Sequence, residues 1–358
     1  MVVQAAVDEY RDVRDGAVEL VGVSRSESGK NPRGLRFGPD EYLYVAEGGI
    51  GGSDPACGVV PAVGPYTRSA TGGRISRIDR HGHRSTVTDA LPSSQTSMAS
   101  GSLISGVADI AFIDGKMYAL LAGAGCSHGV TKPNGIARIH RDGTWELIAN
   151  LSAFQQANPV KNPNPGDFEP DGTWWSMVAV HDDLYAVEPN HGELDKITLN
   201  GKISRVLDIS ASQGHVVPTS IAHRGNDFYV SNLGTFDPDQ LNTQSIFEIS
   251  PSGHLRVLAT GLSKVLGLAF DERGRLYVLE ASYSTTDPGP EPATGRLLRI
   301  SHGGKQEVLI DSTSGLLTFP TGMTFGPDGA LYISNVGFGP PPIGLGQILR
   351  VQFRDDDD

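Results

Sequence analysis

Apolar and polar positions along this chain form a short phrase that returns six times. Each copy has an apolar strand led by Gly or Pro, then a tight turn, and then a second strand built around a Tyr. The six second strands are Leu43–Glu47, Met117–Leu121, Leu184–Glu188, Phe228–Asn232, Leu276–Glu280 and Leu331–Asn335. A repeat of this length predicts a stacked or radial architecture, because one such unit cannot bury its apolar face alone.

Each repeat can be written as four strands, A to D. In the first repeat they are residues 34–37, 43–47, 74–78 and 85–88, and a Gly stands in the turn of each C–D hairpin, where a short turn requires positive φ. Short, evenly spaced strands separated by turn signals indicate an all-β fold. The fixed period then predicts a six-bladed β-propeller of four-stranded blades.

The sixth repeat ends after its strand C, residues 347–351, and has no strand D. Residues 18–22 near the N-terminus have the pattern of an orphan strand D. We predict that this N-terminal strand completes the last blade, because an open ring would leave an unpaired edge. The expected organisation is an N-terminal extension over 1–16, the propeller over 17–354 and an acidic tail over 355–358.

Loop lengths separate the two faces of the predicted ring. The A–B and C–D turns, on the face that we call the turn face, are short. The B–C and D–A connections lie on the opposite face, the loop face, and five B–C loops and the D–A connection over 158–171 are long. Loops lengthened on one face favour a functional role there, although neutral drift of surface loops is the alternative.

The composition of the chain limits the classes of partner that it is expected to bind. Lys and Arg number 29 against 41 Asp and Glu, a net charge of -12. There is no basic patch with interleaved aromatics, so nucleic acid is not an expected partner. No apolar run is long enough to span a bilayer, and residues 1–15 contain no signal-peptide core, so export cannot be read from the chain itself. We expect a monomer.

Several sequence motifs of known catalytic and cofactor sites are absent from the chain. There is no G-x-S-x-G elbow, no HExxH, no P-loop and no dinucleotide fingerprint. Serine nucleophiles, zinc peptidase chemistry and nucleotide or organic cofactors therefore lose support. Cys57 and Cys126, the two cysteines, lie in long loops of neighbouring blades and could form a disulfide in an exported protein. A free thiol at either position is the alternative.

The fifth residue of the Tyr strand is usually polar. It is predicted to place five oxygen-bearing side chains around one channel mouth: Glu47, Glu188, Asn232, Glu280 and Asn335. Carboxylate and carboxamide oxygens suit Ca²⁺ or another divalent cation. The alternative is that these side chains cap backbone amides of the loops.

Other candidates lie near the same face. Asp109 ends strand A of the second blade and is a candidate for catalysis, as are His191 and His215, since a neutral imidazole can serve as a general base. Loop hydrogen bonding is the competing use of both histidines.

Four side chains are candidates for ligand binding. Arg33 would hold an anionic group or form a salt bridge to Glu47. Of Trp174 and Trp175, one is expected to pack in the blade and the other to form a ligand platform. His128 lies in a loop of the loop face.

The phrase Asn31 to Asp40 followed by Leu43 to Glu47 resembles NHL-type and SMP-30-type propeller repeats. The stretch Leu147 to Asn158 is similar to a segment of the ScyD/ScyE family, and residues 217–222 and 261–270 fit the same family. The resemblance covers most of residues 18–353. It implies a six-bladed propeller and an extracellular or periplasmic protein. Calcium-dependent lactonases and phosphotriesterases of the six-bladed class use a mix of Glu and Asn that the predicted ring resembles.

Two functions of different class follow. One is a metal-assisted hydrolase of lactone or ester type, or a lyase, acting on a small molecule. The other is a non-catalytic propeller that recognises a small molecule, a polymer or a protein through its long B–C loops. The fold alone does not choose between them.

Overall fold

The computed structural model describes residues 11–13, 16–21, 31–51, 54–55, 66–96, 104–167, 169–235, 237–301, 303–337 and 346–353. Six antiparallel sheets stand around one axis, and each contributes one four-stranded blade of a six-bladed β-propeller. The predicted fold is confirmed. The predicted acidic tail over 355–358 lies outside the described residues, and so does Cys57.

The strands are numbered in chain order. The first three blades and the N-terminal strands are β1 Arg11–Val13, β2 Gly16–Val21, β3 Pro32–Phe37, β4 Leu43–Glu47, β5 Asp54–Pro55, β6 Tyr66–Ile78, β7 Arg84–Thr96, β8 Ile104–Ser105, β9 Val107–Ile113, β10 Lys116–Leu121, β11 Gly135–Ile139, β12 Trp145–Asn150, β13 Ser176–Val180, β14 Asp183–Glu188, β15 Glu193–Thr198 and β16 Ile203–Asp208. The last three blades are built from β17 Pro218–Arg224, β18 Asp227–Asn232, β19 Gln244–Ile249, β20 Leu255–Leu262, β21 Val265–Phe270, β22 Leu276–Glu280, β23 Arg296–Ile300, β24 Gln306–Ile310, β25 Gly322–Phe325, β26 Leu331–Asn335 and β27 Gln347–Phe353.

The ring closes as the sequence predicts. Strand β2 pairs antiparallel with β27, with Val18 opposite Val351 and Leu20 opposite Leu349. The N-terminal strand therefore supplies strand D of the sixth blade and covers the edge that β27 would otherwise expose. Strand β1, inside the predicted extension, pairs with β2 as a further strand of that sheet.

Blade 1 differs from the prediction in the length of its outer strands. Strands β6 and β7 each span 13 residues, where only four or five were expected. They continue to pair well beyond the blade, up to Tyr66 opposite Thr96, and β8 adds to β7. Part of the long B–C loop is thus regular structure, because two adjacent extended segments satisfy each other's backbone groups.

Helices are few. The α-helices are α1, Leu151–Ala157, and α2, Ser210–Gln213, and 3₁₀ turns cover Cys126–His128, Pro165–Asp167, Pro238–Gln240 and Ser312–Ser314. Asn150 caps α1 by accepting a hydrogen bond from the Ala153 amide. The helix buries Leu151 and Gln155. No helix among the described residues is long and apolar enough to cross a membrane.

The Tyr of the repeat explains how neighbouring blades pack. Its ring meets, edge to face, a Phe from the innermost strand of the next blade, with centroids 4.8–5.1 Å apart. These pairs are Tyr44–Phe112, Tyr229–Phe270, Tyr277–Phe325 and, across the closure, Tyr332–Phe37. Each such pair adds about 0.5–1.5 kcal/mol beyond burial. The apolar cores accordingly lie between blades, as where Leu120 and Ile136 of blade 2 meet Leu184 and Ala186 of blade 3.

Candidate functional site

The innermost strands of all six blades surround a central channel with a cavity of about 240 Å³. Most of its wall is small or apolar, and in the described part of the chain three ionisable side chains line it: Arg36, Asp109 and His223. The channel is the one place where all six repeats meet, so we take it as the candidate functional site.

Asp109 lies in the wall of the channel and ties blade 2 to blade 3. One carboxylate oxygen accepts the Ile110 amide at 2.8 Å, and the other accepts the Met177 amide at 2.9 Å and the Ser176 hydroxyl at 3.0 Å. Burial raises the pKa of Asp109 above its ordinary value, against the opposing effects of Arg36 and of these hydrogen bonds. Gly34 is required opposite it, because a Cβ there would collide with the carboxylate.

Arg36 also reaches into the channel, a residue that the sequence analysis missed. Its Nε and Nη2 groups donate to the Ile110 and Met177 carbonyls at 3.5 and 3.4 Å, which are long and weak hydrogen bonds. Every residue that holds the same position, opposite the Tyr of the repeat, is small or medium-sized and uncharged in the other five blades: Ala111, Val178, Ala222, Ala269 and Thr324. That contrast was visible in the sequence once the strands were aligned on the Tyr.

The remaining ionisable group of the wall, His223, stands where other blades have Phe, and it packs 5.3 Å from the Phe228 ring. Burial and the neighbouring His181 lower its pKa. His223 is therefore held mainly neutral at physiological pH, as a substitute for an apolar ring.

At the loop-face end of the channel, the Arg33 guanidinium lies 4.4 Å from the Trp175 ring and donates to the Ile104 carbonyl at 2.6 Å. Trp175 is partly exposed and lines the channel, which fits the predicted platform. Trp174 is completely buried in the core between blades 2 and 3. Trp174 is thus the member of the pair that packs in the blade, and a ligand could reach its ring only by disrupting that core.

The Glu side chains of the predicted ring are held within their own blades. Glu47 accepts from Arg74 at 2.7 Å and also from Ser76 and Arg84. Although burial alone would raise it, the pKa of Glu47 is lowered because Arg84 and Arg74 favour the charged form. Glu280 is bonded in the same way to Arg296 at 2.6 Å.

The other three members of the ring fix the loops. Glu188 accepts the amides of Thr173 and His191. Asn232 and Asn335 both bond to the Gln at the start of strand C. Each also accepts a backbone amide, that of Ser245 in β19 and that of Thr318 in the loop before β25, respectively. These contacts are the capping alternative that the sequence left open.

The five residues do not fit a calcium site. Two of the carboxylates are already neutralised by arginines, and Asp109 is the one carboxylate that the described residues place on the channel wall. Over the described ranges, no group of three or more His, Cys, Asp or Glu side chains could hold a metal ion. Calcium binding at this ring stays a prediction of the sequence alone.

The predicted histidines lie away from the channel wall. His191 is buried in the short loop that Glu188 caps, and His215 is half-buried before β17. His128 is completely buried and pairs with Glu169 at 3.2 Å. Burial opposes the charge on His128, but the hydrogen bond and charge of Glu169 prevail and raise its pKa. His128 thus anchors a loop and does not offer a ligand-binding surface.

A buried acidic patch in blade 3 was also missed. Glu193 and Asp195 are both fully buried on the blade face that α1 and blade 2 cover. Both Asp195 oxygens and one Glu193 oxygen have no hydrogen-bond partner in the described part of the chain, while Arg205 donates to the other Glu193 oxygen at 2.5 Å. Burial, with the charge of Glu188, raises the pKa of Glu193 to about 7 despite Arg205. Burial and the neighbouring Glu193 likewise raise the pKa of Asp195.

Cys126 is disulfide-bonded. It precedes Ser127 and His128, whose contacts with Asp171 and Glu169 hold the same loop against blade 3. The disulfide and these contacts together fix one of the long loops of the loop face.

Comparison with solved structures gives six-bladed propellers of the SMP-30/gluconolactonase-like and NHL types. A protein of unknown function from Bacteroides thetaiotaomicron has a TM-score of 0.58 at 11% identity, over 94% of this chain and 76% of that one. A gluconolactonase from Xanthomonas campestris has a TM-score of 0.56 at 11% identity, over 95% of this chain and 92% of that one. A putative oxidoreductase (glucose dehydrogenase) from Thermus thermophilus has a TM-score of 0.56 at 17% identity, over 94% of this chain and 100% of that one.

At these identities the likeness shows the fold alone. No family model matches the chain, and no curated protein matches it. The ScyD/ScyE resemblance stays a prediction.

Proposed function

We propose that the protein binds a small molecule in its central channel. The observation that carries this is the channel wall itself: Arg36 and Asp109, two ionisable side chains, lie among small and apolar residues contributed by all six blades. Concave, mostly apolar sites with a few convergent polar groups are the usual form of ligand sites. The cavity of about 240 Å³ favours a ligand smaller than a drug-sized molecule.

The ligand is proposed to enter from the loop face. The partly exposed Trp175 ring, backed by the Arg33 guanidinium, supplies an apolar platform at that end. The long loops surround the same face, and buried contacts such as His128–Glu169 hold one of them in place. A fixed mouth lowers the entropy cost of binding.

Hydrolase or lyase chemistry on the same small molecule is the second candidate. The raised pKa of Asp109 favours it, because a carboxyl group that keeps its proton closer to neutral pH is a better general acid. In that case Asp109 would transfer a proton to the leaving oxygen. Its three accepted hydrogen bonds support the purely structural alternative.

Export is proposed as well. The disulfide at Cys126 supports it, since disulfides persist in oxidising compartments. A monomeric state is proposed from the sequence alone.

Binding is tested by filling the channel. Val178 lines it, and Val178→Phe would occupy part of the cavity, whereas Val257→Phe on the outer strand of blade 4 makes the same change at an exposed position. Small molecules that raise the melting temperature of the natural protein and of Val257→Phe should not do so for Val178→Phe. Ligands that stabilise all three proteins equally would contradict the proposal.

Catalysis is tested separately with a panel of lactones and aryl esters. Asp109→Asn removes the ionisable proton and keeps the shape, and Asp182→Asn is the control in an exposed turn. A general acid contributes about 10²–10⁴-fold. Turnover that falls by about that much in Asp109→Asn, with unchanged folding by circular dichroism, supports the enzyme. Turnover that is absent in the natural protein, or unaffected by Asp109→Asn, leaves only binding.

A further inference from the structure

The charge on Arg36 is unusual for its surroundings. The chain as a whole carries a net charge of -12, yet the wall of the channel holds a guanidinium. Arg36 forms no ion pair with any carboxylate of the described residues. Its two hydrogen bonds, at 3.4 and 3.5 Å, use only part of its donors.

Asp109 does not neutralise this charge through direct contact. Both of its oxygens are taken by the Ile110 and Met177 amides and the Ser176 hydroxyl. Burial raises the pKa of Asp109, and the charge of Arg36 opposes that rise without a direct contact. Arg36 is thus a cation in a small cavity with only partial compensation, a situation that favours binding of an anion.

Two hydroxyl groups of the wall are already used in holding blades together. The Ser220 hydroxyl accepts the Leu268 amide at 2.9 Å, and the Thr321 hydroxyl donates to the Pro32 carbonyl at 2.6 Å. Among the described wall residues, Arg36 therefore offers a ligand the most hydrogen-bond donors, beside the single ring N–H of a neutral His223. The wall beside it is mostly apolar, with Val178, Ala222, Leu268, Ala269 and Met323.

We propose that Arg36 is a specificity-determining residue that selects a small carboxylate with an apolar body. The carboxylate would accept hydrogen bonds from the guanidinium, and the apolar body would lie along the channel towards Trp175. This inference rests on the proposed function, because it takes the channel as the ligand site.

The test compares phenylacetate with phenylacetamide, a pair of similar shape that differ in charge. Binding of each is measured by isothermal titration calorimetry at pH 7.5 to the natural protein, Arg36→Met and Arg256→Met. Arg256 is exposed and pairs with Glu248 on an outer blade edge, so its variant changes net charge equally. The natural protein and Arg256→Met should bind phenylacetate at least about tenfold more tightly than phenylacetamide, and Arg36→Met should lose that preference.

Several results would overturn the inference. If the natural protein binds both compounds with equal affinity, the inference is refuted. That result involves no variant, so it does not depend on whether Arg36→Met folds. Phenylacetate affinity that Arg36→Met retains refutes it too, as does failure of both compounds to bind. If instead neutral compounds bind and Val178→Phe blocks them, the channel remains a ligand site and only the preference for carboxylates is rejected.

Discussion

The buried acids of blade 3 make a quantitative prediction about stability and pH. Glu193 lies fully buried beside Asp195, and its pKa is raised from 4.5 to about 7. The folded protein therefore binds more protons than the unfolded chain between these values. The free energy of unfolding that this group contributes is fully present below pH 4.5 and is lost as the pH rises towards 7.

The size of the loss follows from the same values. At 1.36 kcal/mol per pH unit, the interval from 4.5 to about 7 corresponds to roughly 3 kcal/mol. With an unfolding entropy of about 2.1 cal/mol/K per residue over 358 residues, this is about 4 °C in melting temperature. Asp195 adds to the loss in the same direction, because its pKa is raised as well.

Glu193→Gln removes the titrating group and keeps an oxygen for Arg205 to bond. Urea unfolding of both proteins at pH 5, 6, 7 and 8 gives the difference in their unfolding free energies at each pH. That difference should move by roughly 2.5 kcal/mol in favour of the variant between pH 5 and 8, whatever constant cost the weakened Arg205 contact imposes. Glu272→Gln, in an exposed turn, should show no such movement. Parallel pH profiles for the natural protein and Glu193→Gln would refute the reasoning.

Three further predictions follow from the fold and its buried pairs. Glu47→Gln leaves Arg74 and Arg84 buried without their carboxylate and should cost about 3–5 kcal/mol in urea unfolding at pH 7, so an unchanged midpoint would contradict the role given to this pair. Deletion of residues 1–23 removes β2 from the sixth blade and should give an insoluble or oligomeric product by size-exclusion chromatography, whereas a soluble monomer with unchanged melting would count against closure by this strand. Because the five predicted ligands are bonded within their own blades, EDTA should leave the melting temperature unchanged, and a stoichiometric divalent ion found by elemental analysis would reverse that conclusion.

The fold was predictable because its determinants repeat. In four of the six phrases the central Tyr ring packs against a Phe of the next blade, so local periodicity and tertiary packing carry the same signal. Closure by residues 18–22 could be predicted for the same reason, since a missing strand and an orphan strand stand at opposite ends of the chain. The extra length of β6 and β7 could not, because pairing between two loops depends on register across the blade and has no repeat to reveal it.

The candidate site was predictable only in part. Residues at equivalent positions of the repeat lie at the same level along the propeller axis. The repeat does not reveal whether each side chain points to the axis or into its own blade. Glu47 illustrates the difference, since the register that sets it opposite Arg74 directs its carboxylate to that arginine. Glu47 and Arg74 can both be read from the sequence, but their pairing follows only from the register between their strands.

Symmetry also suggests where function should be sought in a propeller of this kind. Recurring features, such as the Tyr of all six blades and the capping residue that ends its strand in five of them, serve packing and loop closure. Asp109 and Arg36 depart from that pattern, each placing a charged group where other blades have small or uncharged residues. Burying either group is costly without a compensating role. Asp109 meets that cost through bonds to the next blade, whereas Arg36 makes only two long contacts, so the guanidinium is the stronger indication of a ligand.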